Sequence, residues 1–215
     1  MNFSGFTSED FAVFEIDGFE SRMPVLRRRV TPKLKELGPI LVPEISILTG
    51  HPMFAHVALH MRRTVNPPEA TWVAFGRNAR SYKPFVHYRV VASRDGLKVT
   101  CFVEDDADDK PTFANGMVRN SASLAHYFAA NPEIRFYELL DANGEPRLAN
   151  KLTKKEITAF GGRLRQVKGQ HASFGIPIDP AKSASGTGLV ASVLDSVRTL
   201  HPLYRMGAET GYRLD

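Results

Sequence analysis

Phe85-Val86-His87-Tyr88-Arg89-Val90-Val91-Ala92-Ser93-Arg94-Asp95-Gly96-Leu97-Lys98-Val99-Thr100-Cys101-Phe102-Val103-Glu104 is the stretch on which the fold turns. Asp95-Gly96 separates two runs of strand character, Phe85 to Ala92 and Leu97 to Glu104, and Asp-Gly in that setting is the strongest hairpin signal in the chain. Just upstream, Thr71-Trp72-Val73-Ala74-Phe75 is β-branched and aromatic. Three such runs in succession predict an antiparallel meander.

Working outward, Asn66-Pro67-Pro68 forces a turn, because two prolines fix φ and remove two backbone donors. Before it, Phe54 to Val65 fits two periods. Ala55, Val57, Leu59, Met61, Arg63 and Val65 alternate with Phe54, His56, Ala58, His60, Arg62 and Thr64, as a strand requires. Phe54, Val57, Ala58, Met61 and Val65 also recur at helical intervals. The strand is favoured and the helix stays open.

Helical periods occupy most of the remainder. Thr7 and Asp10 imitate a capping box before Phe11 and Phe14, which predicts a short helix from about residue 8, ended by Asp17-Gly18. Met23, Leu26, Val30, Leu34 and Leu37 then recur at three- and four-residue steps, giving an amphipathic helix over 19–37 closed by Gly38-Pro39. Pro24 suits its first turn, whereas Pro32 should kink or split it. Residues 40–48 suggest a second, short helix. Further on, 111–130 reads as helix weakened by Gly116, 134–140 as strand and 141–144 as a turn. Thr153 with Glu156 opens a helix to about 168, 174–178 is a short strand, and 189–204 closes as an amphipathic helix after a small, polar connection over 182–188. The expected fold class is α+β: an antiparallel sheet meander covered by several amphipathic helices, in a single compact domain over 1–215.

Composition narrows the function classes. At 215 residues with 43% hydrophobic and 24% charged residues, the chain has a core's worth of apolar side chains and none of the signature of disorder. It shows no secretory leader and no run of about 18 apolar residues, so no membrane partner is expected. Cys101 is the single cysteine, which excludes an intramolecular disulfide and points to a reducing, cytoplasmic compartment. A net charge of +5 biases the protein towards anionic partners. Basic residues crowd 22–35, and Glu104, Asp105, Asp106, Asp108 and Asp109 form an acidic run; both read first as solvated faces or loops.

The segment Met61-Arg62-Arg63-Thr64-Val65-Asn66-Pro67-Pro68-Glu69-Ala70-Thr71-Trp72-Val73-Ala74-Phe75 resembles the central signature of the YktB family of uncharacterised bacterial proteins. The resemblance extends upstream through Thr49-Gly50, Phe54, His56-Val57-Ala58 and His60, and to Phe6-Thr7, Glu9-Asp10-Phe11, Arg22-Met23 and Pro32-Lys33-Leu34. Downstream, Arg80, Tyr82-Lys83 and His87 correspond to a family Arg-Gly-Tyr-Lys-Lys stretch followed by His, with Ser81 and Pro84 substituted. It implies a compact α+β domain of unassigned function and carries over no reaction, cofactor or active site.

The residues themselves suggest where chemistry sits. On a strand, His56, His60, Arg62 and Thr64 project from one face, and His87 shares a face with Arg89. Together they would line a basic, imidazole-rich concavity, with Tyr82 and Lys83 closing over it. Guanidinium groups offer paired hydrogen bonds to carboxylate or phosphate oxygens, so the expected partner is a small anionic ligand. The structural alternative is that the histidines complete hydrogen-bond networks, the arginines pair with carboxylates such as Glu69, and Trp72 anchors the core. An enzyme alternative uses a histidine as proton carrier in the same cleft.

Other chemistries find less support. His56 and His60 could share a metal only on a helix, since on a strand they stand roughly 13 Å apart at about 3.3 Å per residue; no metal is expected. Nucleic acid would use Arg27, Arg28 and Arg29 on the helix over 22–35, without a recognised reader motif, and is a third, disfavoured class. Nucleophile-elbow, phosphate-loop and dinucleotide patterns are absent, Gly186-Thr187-Gly188 reads as a helix cap, and the cofactor stays unassigned. The oligomeric state is not encoded legibly.

Overall fold

The structure, a computed structural model, describes residues 3–61 and 63–214. Seven strands, β1 (Phe54–Val57), β2 (Ala70–Gly76), β3 (His87–Ser93), β4 (Gly96–Val103), β5 (Arg135–Leu140), β6 (Pro146–Leu148) and β7 (Ala172–Pro177), form one antiparallel sheet in the order β1-β2-β3-β4-β7-β5-β6. The helices are α1 (Ser8–Phe11), α2 (Phe19–Thr49), α3 (Lys110–Arg119), α4 (Ser121–Ala130), α5 (Lys154–Gln166), α6 (Pro180–Ser183) and α7 (Gly186–Ala208). The α+β meander expected from the sequence is therefore present, extended beyond β4 by three strands from the second half of the chain.

The hairpin closes with Ser93 opposite Gly96 around the two residues Arg94 and Asp95, and Gly96 takes the left-handed φ of +101° that the turn demands. Both capping boxes form. The Asp10 carboxylate accepts from the Thr7 amide at 2.8 Å, and Glu156 and Thr153 bond reciprocally at 2.8 and 3.2 Å.

Three expectations need correction. α2 does not end at Gly38-Pro39 or split at Pro32; it runs 31 residues with Pro24, Pro32, Pro39 and Pro43 inside it. Its buried stripe of Met23, Leu26, Val30, Leu34 and Leu37 continues at the same spacing through Leu41 and Ile45. Burying an aliphatic side chain is worth about 1.5–3 kcal/mol, so these two together recover an amount comparable to the roughly 3 kcal/mol that each of Pro39 and Pro43 costs. Gly38 serves contact rather than termination: a Cβ there would lie 2.8 Å from that of Ala55, and its absence lets α2 seat against β1.

The strand expected over 54–65 stops at Val57. After Ala58, whose amide still reaches Trp72 O at 2.9 Å, His60 turns into the left-handed region (φ 51°) and Arg63 N bonds back to His60 O. The alternating apolar set beyond that point finds no core, with Met61 80% and Val65 74% exposed. Arg22 pins the far end of this loop, bonding Pro68 O at 3.1 Å and Glu69 at 3.2 Å. The single helix expected over 111–130 is two, broken at Asn120, whose side-chain Nδ2 donates to Gly116 O and Tyr212 O.

The helices take one face of the sheet. Val73, Phe75, Tyr88, Val90, Val99, Cys101, Val103 and Phe174 point into a single core with α2, α3 and α7. Period two sends Trp72, Ala74, His87, Arg89, Lys98, Thr100, Phe102 and Ser173 to the other face.

Candidate functional site

On that second face the register sets Ala74, Arg89, Thr100 and Gly175 in one row across β2, β3, β4 and β7. Trp72 stands one row to one side; His87 and Phe102 stand one row to the other. Strand pairing thus brings together residues far apart in sequence.

Arg89 is the hub. Its guanidinium carbon lies 3.6 Å from the centre of the Phe102 ring, 4.9 Å from that of Trp72 and 5.4 Å from that of Tyr82. Burial works against its charge, and the partner that offsets this is Glu104, whose carboxylate accepts from Nη2. Its Nε–H donates to His87 Nε2 at 2.9 Å, while His87 Nδ1 lies 2.7 Å from Phe85 O. A carbonyl only accepts, so the proton sits on Nδ1 and His87 is neutral. Its pKa is pushed well below the ordinary value by burial, then by Arg89.

Beyond Phe102 the stack continues to His171, whose ring lies 5.2 Å away at 17°. His171 Nε2 meets Glu138 Oε1 at 3.2 Å, and that hydrogen bond raises its pKa. Trp72, Arg89, Phe102 and His171 therefore form a ladder of rings and cation across four strands' worth of sheet. Beside it opens a cleft of about 220 Å³ bounded by Trp72, Phe102, His171, Lys98, Thr100 and Tyr137 among others. Strand and loop residues line it throughout. A second depression of about 200 Å³ adjoins it, sharing Lys98 and Tyr137 and adding Arg135.

The charges in the cleft are not all satisfied. Arg89 has Glu104 and His171 has Glu138, but Lys98 has no carboxylate partner among the described residues; its ammonium lies 4.1 Å from the centre of the Tyr137 ring. Burial lowers its pKa, with Asp95 opposing and Arg135 adding to the shift. Thr100, two residues along the same strand face, has a buried hydroxyl with no hydrogen-bond partner among the described residues. Position 175 is glycine where β4 and Tyr137 both close in: a Cβ there would stand 2.6 Å from Val99 O, 2.8 Å from Thr100 Cγ2 and 3.1 Å from the tyrosine ring.

The residues singled out from sequence fall on either side of this cleft. Only Arg89 lines it. His87 is fully buried behind Arg89, and Tyr82 packs 4.8 Å from the His87 ring while its hydroxyl accepts from Trp72 Nε1 at 3.2 Å. His56, half-buried, contacts Asn78 O at 3.0 Å and the Tyr82 ring at 5.8 Å. His60 meets the Trp72 ring edge-on at 5.4 Å; its Nε2 is buried without a partner among the described residues, and burial, then Arg63, lowers its pKa. Thr64 and Lys83 are exposed on loops, and Arg62 lies outside the described residues. His56, on a strand, and His60, on a loop, do not form the helical pair a shared metal would need.

Lys98, Thr100, Phe102 and His171 were not among the residues chosen. The first three are the alternate set of the Leu97–Glu104 run, a signal available in the sequence. His171 precedes β7, and nothing local announces its position.

A seven-stranded antiparallel sheet with helices on one face and a charged aromatic cleft on the other defines the class of protein. Residues 6–204 match the family described as Domain of unknown function (DUF1054). The chain is 52% identical over 203 residues to a UPF0637 protein of Bacillus licheniformis, covering 94% of this chain and 95% of that one. It is 31% identical over 217 residues to a UPF0637 protein of Shouchella clausii, 98% of each, and 32% identical over 209 residues to one of Bacillus cytotoxicus, 96% of this chain and 99% of the other. The chain belongs to this family, DUF1054 or UPF0637, the one to which the YktB-like signature pointed.

Proposed function

We propose that the protein is a binding module for a small anionic ligand, bearing a carboxylate or phosphate, held in the cleft beside the Trp72–Arg89–Phe102–His171 ladder. The observation that carries this reading is Lys98: a partly desolvated ammonium without a carboxylate, next to the unpartnered hydroxyl of Thr100. A buried cation is costly unless paired, so a partner from solution is the natural complement. Arg89, oriented by His87 and paired with Glu104, lines the cleft with Lys98 and Thr100. His60 and Tyr82 support the site by holding Trp72 and His87 in place, with His56 packed on Tyr82; Thr64 and Lys83 belong to the proposal as exposed loop residues, and Arg62 belongs to it by sequence.

A thermal-shift screen with inorganic phosphate and acetate tests the reading. A ligand at about one hundred times its Kd adds roughly 2.7 kcal/mol, or about 5–10 °C in a chain of this size. Lys98→Met should abolish the rise. An equal rise in that variant would refute the site. The single buried thiol of Cys101, pushed up in pKa by its burial, supports a reducing compartment, and we include the cytosol in the proposal.

A second reading is favoured by the His171–Glu138 pair, which lines the same cleft and could carry a proton in acid–base chemistry. It requires a turnover that His171→Gln removes while the anion-induced melting shift remains.

A further inference from the structure

The walls of the cleft restrict the shape of its ligand as well as its charge. Trp72, Phe102, His171 and Tyr137 present rings from four separate places in the sequence, and Val91 contributes the apolar part of the floor. The polar groups that lack partners, Lys98 and Thr100, lie together on one strand instead of being spread around the rim. Such a site takes a molecule that is flat and apolar over most of its surface and charged at one end.

Size narrows the class further. A cavity of about 150 Å³ accommodates benzene, and pockets for drug-sized molecules run from about 300 to 1,000 Å³. At about 220 Å³ the cleft holds one six-membered ring with one carboxylate.

We infer that the ligand class is a monocyclic aromatic monocarboxylate, its ring against the aromatic walls and its carboxylate on the Lys98 ammonium and the Thr100 hydroxyl. This rests on the binding function proposed above and specifies it. Binding requires no covalent step, and the ring would exploit the offset or edge-on contacts that aromatic pairs prefer. The carboxylate would supply the missing acceptor for both Lys98 and Thr100.

The chain contains one tryptophan, Trp72, which lines the cleft, so tryptophan emission, excited at wavelengths the six tyrosines do not absorb, reports this site alone. The purified chain of 215 residues is titrated with benzoate, cyclohexanecarboxylate, acetate and inorganic phosphate, each at constant ionic strength, with melting followed in parallel. Benzoate should give a saturable change, binding about two- to tenfold more tightly than cyclohexanecarboxylate, which matches it in charge and approximate volume but is neither flat nor aromatic. Lys98→Met should weaken benzoate about tenfold or more, and Thr100→Val, nearly isosteric, by a smaller factor. Either variant suffices where the other does not fold. Saturable binding of phosphate or acetate with benzoate equal or weaker would overturn the aromatic class and leave the anion site standing. No response to any of the four in fluorescence or melting overturns both. Equal benzoate affinity in Lys98→Met and the parent overturns the assigned orientation.

Discussion

The two faces of the central strands carry the same backbone and opposite chemistry. Towards the helices, Tyr88, Val90, Val99 and Cys101 enter one continuous core. Away from them, the same strands expose His87, Arg89, Lys98, Thr100 and Phe102 to a layer of rings and ion pairs. On the covered face these residues are accounted for by apolar burial, with the Tyr88 hydroxyl met by His201 Nδ1 at 3.1 Å. On the open face, pairing explains Arg89 and His171 and leaves Lys98 and Thr100 over. Sequence alternation marks both faces alike, and the remainder after pairing is what separates scaffold from site.

The largest effect should come from the covered face. Phe174 is fully buried and stacks between Phe128 at 5.4 Å and Phe136 at 4.5 Å, so Phe174→Ala should cost about 3–5 kcal/mol, seen as a lower urea midpoint. A loss under about 1 kcal/mol would mean the sheet does not rest on this core.

Next comes the paired charge of the open face. Arg89→Met leaves Glu104 and His87 without their donor, an expected cost of about 3 kcal/mol, and adding Glu104→Gln should recover part of it. Additive losses would show that the two do not interact.

A smaller contrast concerns the two histidines flanking Phe102. His87, buried and lowered, should stay neutral to well below pH 6.5, whereas His171, raised by Glu138, should still be charged there; histidine ring shifts in NMR titrations distinguish them. Because His171 has a folded value above its unfolded one, its contribution to stability is fully present below about pH 6.5 and lost as pH rises through the folded value. His87 has the opposite sign: its contribution is present above about pH 6.5 and lost as pH falls towards its lowered folded value. His171→Gln should remove the first slope and leave the second.

How much of this was legible in the sequence depends on range. The Asp95-Gly96 hairpin, the Thr153–Glu156 cap and the shared face of His87 and Arg89 follow from neighbours a few residues apart. The continuation of α2 through Gly38-Pro39 does not, because Gly38 answers to Ala55 across a tertiary contact and not to its own helix. The strand expected over 54–65 shared its alternation with β1 but lacked a core for its apolar half, which only the packed structure shows. Likewise Lys98 and Thr100 gain their meaning from β7, which pairs with β4 only after α3, α4 and α5 have intervened, and from β5, which follows α4 and pairs with β7. His171 and Tyr137 reach the cleft by the same long-range pairing.

The most direct test is the unliganded stability of Lys98→Met by urea denaturation, beside that of Arg89→Met. If Lys98 is held for a ligand and not for the fold, replacing its partly desolvated ammonium with an apolar chain of similar length leaves stability unchanged or raises it, within about 0.5 kcal/mol. A loss approaching that of Arg89→Met would make Lys98 part of the scaffold and contradict the site.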